Sequence, residues 1–355
     1  MENVMKGNKG EWSEVYVLCK LLGDTVLVAG DEHLAQLPIS YPIVKILREH
    51  PQHTVSYIID HNRITIELQG QSVLELPTND FAVQASEILH AIRSTQHTTF
   101  EIPSVDYFLK QIHCSDIKSK STSKTDIQIV IHDHRTGLEP SLGFSIKSHL
   151  GGLATLVNAS LATGIVYRVE NLSVAQIETI LVKHNKIQVE DIYHAGGAVV
   201  YSHFDDQTFF NNLQLIDDGM PDILGSLVLY YYRFRINKLT SLIDVLAQEN
   251  PRQYQIAQRQ DIYSYKIKKF LVDSALGMKP KSPWAGLYDA NGGYIVVRED
   301  GEIVCYHIYH RNLFEDYLVH HTKMDTPSTT RHQFGALYSR HGAWWIRLNF
   351  QIRFV

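Results

Sequence analysis

An aspartate and a lysine on what read as neighbouring strands carry the clearest chemistry in this chain. Thr125 to Ser148 runs TDIQIVIHDHRTGLEPSLGFSIKS. Asp126 opens a β-branched run to Ile131, and Leu142, Phe144 and Ile146 alternate with Gly143, Ser145 and Lys147, so strand, turn, strand is the expectation. The linker holds Asp133, Thr136, Gly137 and Pro140, each with a backbone reason to turn, which makes a hairpin. Period-2 alternation puts Ser145 and Lys147 on the face opposite Phe144 and Ile146, turned toward whatever Asp126 also faces. A carboxylate that can hold Mg²⁺ beside a phosphate, and a cation near an attacking water, are what metal-assisted phosphodiester hydrolysis requires. Asp126 and Lys147 supply one of each, and Ser145 a supporting hydrogen bond.

A second carboxylate must come from elsewhere. Trp12, Val15, Leu18, Leu21 and Leu22 predict a helix over 10–22, with Glu11 and Glu14 in its first turn. These two are the preferred metal ligands beside Asp126, Glu14 first, and Glu139 in the hairpin loop is the fallback. Acids in a first turn also complement the helix dipole, so capping is the competing account. His132-Asp133-His134 reads as turn residues rather than a metal cluster, since a third ligand spacing is missing. His307, His310, Asn312 and His320-His321 lack the order that a histidine-based nuclease needs.

The elements that must position these residues alternate in type. Short strands are expected at 25–29, 54–59, 63–68 and 164–169, helices near 41–49, 81–92 and 105–112, and a helix capped by Ser173 that runs to about Val182. From 207 to 278 four long apolar-periodic segments predict helices, including Tyr230-Tyr231-Tyr232, which reads as an aromatic core stretch rather than a base-stacking platform. Strands return at 293–298, 302–309 and 343–354, around a helix at 313–320. The fold class is mixed α/β. The expected organisation is a nuclease core with the active site over 1–205, a helical subdomain for DNA gripping or dimerisation over 206–285, and a strand-rich basic part for DNA recognition over 286–355.

With 355 residues, 44% of them hydrophobic, the chain can bury a large core. Its 33 basic and 38 acidic residues give a net charge of −5, so any polyanion site must be local. Three runs qualify: 326–355, which has no Asp or Glu but holds Arg331, Arg340, Arg347 and Arg353; 252–269; and Lys118 to Lys124. The three scattered cysteines argue against a disulfide framework and a cysteine zinc site, and fit a reducing cytoplasm. No apolar run reaches membrane-spanning length, and the amino terminus has no signal-like apolar stretch.

The spacing is similar to the PD-(D/E)xK nucleases, in which Pro-Asp precedes an acid-x-Lys on the adjoining strand. Here Thr125-Asp126 precedes Ser145-Ile146-Lys147, so serine stands where a metal-binding acid is usual. Four blocks extend the likeness: Lys9-Gly10-Glu11-Trp12-Ser13-Glu14-Val15-Tyr16; His132 through Ser148; Gly292 to Val297 followed by Gly301 to His307; and Asp325-Thr326-Pro327-Ser328-Thr329. Together they resemble the HpaII-type restriction endonucleases. That resemblance implies a type II enzyme, bacterial or archaeal, cutting double-stranded DNA at CCGG with Mg²⁺, beside a methyltransferase that acts on the same site without stable binding. Serine in the acid position also resembles other restriction enzymes for CCGG-containing sites, where a displaced glutamate completes the metal site. A palindromic site implies a homodimer, one protomer per half-site. Base reading in the major groove calls for Arg or Lys on guanine and an acceptor or backbone carbonyl for cytosine, sought among Arg331, Arg340, Arg347 and the 325–330 loop with Thr326 and Ser328. The rival reading is a catalytically silent DNA-binding protein.

Overall fold

The computed structural model describes residues 4–49, 53–114, 116, 124–134, 136–183, 185–255 and 260–355. Of the basic run Lys118 to Lys124 only Lys124 is among them, and Arg259 of the second run also lies outside. The chain is mixed α/β and divides into two compact units, Met1–Ala154 with Tyr288–Tyr317, and Thr155–Leu287 with Leu318–Val355. The expected boundary near 205 therefore falls inside the second unit, and 286–355 is shared between both.

In the first unit the helix Lys9–Asp24 starts with a capping box: Asn8 Oδ1 accepts from the Glu11 amide at 3.0 Å, and Glu11 Oε2 accepts from the Asn8 amide at 2.9 Å. Its apolar stripe, Trp12, Val15, Leu18, Leu21 and Leu22, is buried as the periodicity requires. The helix Thr78–Ser94 packs beside it.

These helices belong to the core of a nine-stranded sheet. At its centre the hairpin Ile127–Ile131 and Ser141–Ser148 pairs antiparallel, as alternation predicted, with Ile127 opposite Phe144. Ser141–Ser148 has a parallel neighbour on its other edge, Gly293–Val297, which pairs antiparallel with Ile303–His307. Ile127–Ile131 is flanked by Gln36–Glu49, and beyond that lie Thr54–Asp60, Arg63–Leu68 and Gln71–Pro77.

The segment 41–49 is thus strand, not the expected helix. Tyr41, Ile43 and Ile46 fit either period in so short an apolar run, and pairing decides: the first half of Gln36–Glu49 meets Val26–Gly30, the second half Thr54–Asp60 and Ile127–Ile131. The strand Gln71–Pro77 was not expected.

In the second unit a four-stranded sheet runs in the order Ala198–Phe204, Ile165–Glu170, Ala343–Leu348, Leu337–Arg340. A three-stranded sheet places Gln351–Phe354 between Thr155–Val157 and Thr322–Asp325. The expected single strand at 343–354 is two strands, parted at buried Asn349 and Phe350. The helices Gln207–Ile216, Met220–Phe234, Leu239–Glu249 and Ile262–Leu276 follow the four apolar segments. Tyr230 and Tyr232 are buried, Tyr232 Oη donating to the Asn349 carbonyl at 2.6 Å, which fits an aromatic core.

Candidate active site

Asp126 precedes its strand, and its amide donates to the Phe144 carbonyl at 2.9 Å. Its Oδ2 accepts two hydrogen bonds, from the Ile146 amide at 2.7 Å and from Ser145 Oγ at 3.0 Å. Lys147 Nζ donates to the same Ser145 Oγ at 2.9 Å and lies 5.1 Å from the centroid of the Tyr294 ring. Asp126, Ser145 and Lys147 thus form one connected chain, on the strand face opposite core residues Phe144 and Ile146. Tyr294 takes its place because the parallel register sets it beside Ser145.

Burial pushes the Lys147 ammonium below its ordinary value, and the charges of Asp126 and Glu14 partly oppose that shift. Burial, with the Asp126 charge adding to it, raises the Tyr294 phenol.

Residues 289–291 brace this arrangement. Thr125 Oγ1 donates to the Asp289 carbonyl at 2.6 Å, the Lys124 amide to Asp289 Oδ2 at 3.1 Å, and the Gly143 amide to Asn291 Oδ1 at 2.7 Å. Gly143 itself is required by crowding: a Cβ there would stand 2.7 Å from Thr125 Oγ1 and 2.9 Å from the Asp289 carbonyl oxygen. Sequence reasoning missed these supports, although Asn291-Gly292-Gly293 is a turn signal ahead of a buried strand.

A cavity of about 570 Å³ opens beside Lys147. Glu14 lines it, as do Lys9, His97, Gly151 and Gly152. Glu11 does not; its carboxylate closes the capping box. Glu139 is 53% exposed, 3.5 Å from His132 Nδ1, in the loop at the far end of the hairpin from Asp126, about 17 Å away for five residues of strand rise. Among the described residues no group of three or more His, Cys, Asp or Glu side chains stands ready to hold a metal. Asp126 is not among the residues lining the cavity, but it and Glu14 both act on the Lys147 charge, and two carboxylates with water and substrate phosphate are a donor set of the kind that Mg²⁺ takes.

His132, His134 and His307 make packing contacts. Asp133 Oδ2 accepts from Thr136 Oγ1 at 2.8 Å within the hairpin turn, and the rings of His132 and His134 meet edge-on at 5.0 Å. His307 is buried, stacked on Tyr41 with centroids 4.9 Å apart, and burial pushes its imidazole down to about 4.

The residues sought for DNA reading lie in the second unit. Arg331 and Arg340 are exposed. Arg347 is committed: it pairs with Asp205 and donates to the carbonyls of His332, Gln333 and Leu161. Ser328 caps the short helix Thr329–His332, and Thr326 shares a 2.7 Å hydrogen bond with Tyr231 Oη. In the run 252–269, Arg252 pairs with Asp222, Lys266 with Asp217, and Lys269 donates to the Ile216 carbonyl, so much of that charge holds helices together.

A hairpin with Asp126 and Lys147 joined through Ser145, inside a mixed sheet covered by helices, is an arrangement suited to nuclease chemistry. The model of the HpaII restriction endonuclease family matches residues 8–354. A type II restriction enzyme HpaII from Haemophilus parainfluenzae is 43% identical over 358 residues, covering 100% of both chains. No solved structure matches the chain. The chain belongs to the HpaII restriction endonuclease family, and is a type II site-specific endonuclease whose substrate is DNA.

Proposed function

We propose that the enzyme cuts double-stranded DNA at CCGG as a homodimer, by Mg²⁺-dependent hydrolysis at a PD-(D/E)xK centre made of Asp126, Ser145, Lys147 and Glu14. The observation that carries this reading is the hydrogen-bonded chain from Lys147 through Ser145 to Asp126, beside a cavity that Glu14 lines. Bound Mg²⁺ would supply Lewis-acid activation of the phosphate and of the attacking water.

The protein's own groups do the rest. Two donors on Oδ2 fix the carboxylate of Asp126 relative to the strand ends, so a phosphate and metal meet a preset ligand. Lys147, held by Ser145, orients the water, and its lowered proton affinity eases a shared proton. Ser145 takes the position of the usual acid and serves as the bridge. Glu14 supplies the displaced carboxylate, while Glu11 keeps the helix capped.

The CCGG site follows from the family resemblance. It reads alike on both strands, so two protomers present two equivalent centres. In the second unit Arg331 and Arg340 would contact DNA, with Thr326 and Ser328 shaping the adjoining loop and Arg347 bracing it. A methyltransferase acting on the same site would protect the host's DNA, and a bacterial or archaeal cytoplasm fits the three free cysteines. Incubating a plasmid with the protein and Mg²⁺, then sequencing the ends, tests the reading: discrete fragments ending at CCGG support it, whereas intact plasmid of shifted mobility favours a silent binder.

A further inference from the structure

The cavity beside Lys147 has a wall that the chemistry above leaves unused. It carries Lys9, the loop Gln96-His97-Thr98, and Gly151-Gly152. Lys9 is the first residue of the helix Lys9–Asp24, where the positive end of the dipole disfavours a cation by a few tenths of a kcal/mol. It forms no ion pair among the described residues; the acid that shares its cavity, Glu14, acts on the charge of Lys147. Its stem lies against Gly151, where a Cβ would come within 3.2 Å of the Lys9 Cβ. A glycine at 151 therefore leaves the lysine room on the cavity wall, and Gly152, with nothing near its missing Cβ, leaves backbone open there. A locally unfavourable residue, kept at a cavity shared with Lys147 and Glu14, is one whose benefit must be sought in a ligand.

We infer that Lys9 is a positioning residue that holds a backbone phosphate of the cut strand, the one adjacent to the scissile phosphate. Nucleic-acid strands carry a charge at every nucleotide, so a strand with one phosphate at Lys147 and Glu14 must lead its next along a wall of this cavity. Lys9 is the lining cation besides Lys147, and Gln96, His97 and Thr98 offer further hydrogen-bonding groups on the same lining. The contact sets the register of the strand rather than touching the reacting atoms. This inference rests on the reading that Lys147 and Glu14 mark the reacting phosphate.

The test combines Lys9→Met with DNA in which either phosphate flanking the scissile one is replaced by an uncharged methylphosphonate. With unmodified DNA, Lys9→Met should cut about tenfold more slowly at subsaturating substrate, and the slope of log affinity against log salt should flatten by about 1. At one flanking position the methylphosphonate should slow the natural enzyme by a similar factor, yet change the Lys9→Met rate less than about twofold, since each removes the same contact. Lys9→Arg should restore the sensitivity. Two effects that multiply at both flanking positions overturn the inference, as does a Lys9→Met enzyme with natural rate and salt slope. Lys147→Ala is measured alongside on unmodified DNA. Cleavage by that variant would sink the site assignment itself, whereas a dead Lys147→Ala with multiplying effects at Lys9 sinks only the phosphate contact.

Discussion

Ser145 Oγ lies 3.0 Å from Asp126 Oδ2, so the serine orients the aspartate on the adjoining strand end. The same oxygen accepts from Lys147 Nζ, which places one hydroxyl between the two charged groups. Ser145→Ala removes both bonds without changing charge. A hydrogen bond to a charged group contributes about 1.5–3 kcal/mol, so cleavage should slow by roughly ten- to a hundredfold, measured as single-turnover rate at saturating Mg²⁺. An unchanged rate would leave the serine as packing only.

Asp126→Asn and Lys147→Ala should each abolish plasmid cleavage while circular dichroism and thermal melting stay close to natural. Neither side chain belongs to the apolar core, so folding has little to lose. Without metal, Asp126→Asn should bind DNA at least as tightly as the natural protein, because a negative charge beside phosphate is gone. Weaker binding by gel shift would argue that Asp126 faces away from DNA.

Glu14 and Glu11 are separable. Glu14→Gln should cost orders of magnitude in rate and raise the Mg²⁺ needed for half-maximal cleavage. Glu11→Gln keeps a side-chain acceptor for the Asn8 amide, so activity should stay within about twofold. Glu139→Gln should also be mild. Combining Ser145→Glu with Glu14→Gln would return a carboxylate to the common strand position, and partial recovery would place both side chains at one metal.

Gly143→Ala tests the brace formed by residues 289–291. The added methyl meets Thr125 and Asp289, and overpacking of this kind costs about 1–3 kcal/mol. Because Thr125 precedes Asp126, kcat should fall along with the melting temperature. A stable but slow enzyme is acceptable on this account; a stable and fully active one is not.

His307 makes the fold acid-sensitive. Its folded value of about 4 lies below the ordinary 6.5, so the neutral form is the native one. The stability it allows is complete above pH 6.5 and is lost as pH falls from there toward 4, amounting to about 3 kcal/mol. Urea melts across that window should show His307→Gln losing less stability than the natural protein, whatever its value at neutral pH.

Alternation made the central hairpin readable, because moving Lys147 to the other face would bury its charge among Phe144 and Ile146. The helix Lys9–Asp24 was readable for the matching reason, an unbroken stripe from Trp12 to Leu22. Other elements depend on partners far away in sequence. Residues 41–49 fit both periods, and only the strands on either side settle the matter. Gln71–Pro77, at the edge of its sheet, has mostly exposed side chains and so shows little pattern. At the site, residue types pointed to Asp126, Lys147 and Glu14, to a supporting hydrogen bond from Ser145 and to capping as the competing account of Glu11, but not to Ser145 joining Asp126 to Lys147 or to the bracing turn at 289–291. Those depend on distances that spacing does not encode.

The strand Gly293–Val297, which seats Tyr294 under Lys147, belongs to the first unit but is made after most of the second. On a ribosome adding about 5–20 residues each second, Lys147 waits on the order of ten seconds for that neighbour. A chain broken off before residue 293 holds Asp126 and Lys147 yet lacks the strand that closes their edge of the sheet. Translation interrupted before that strand should therefore release inert fragments.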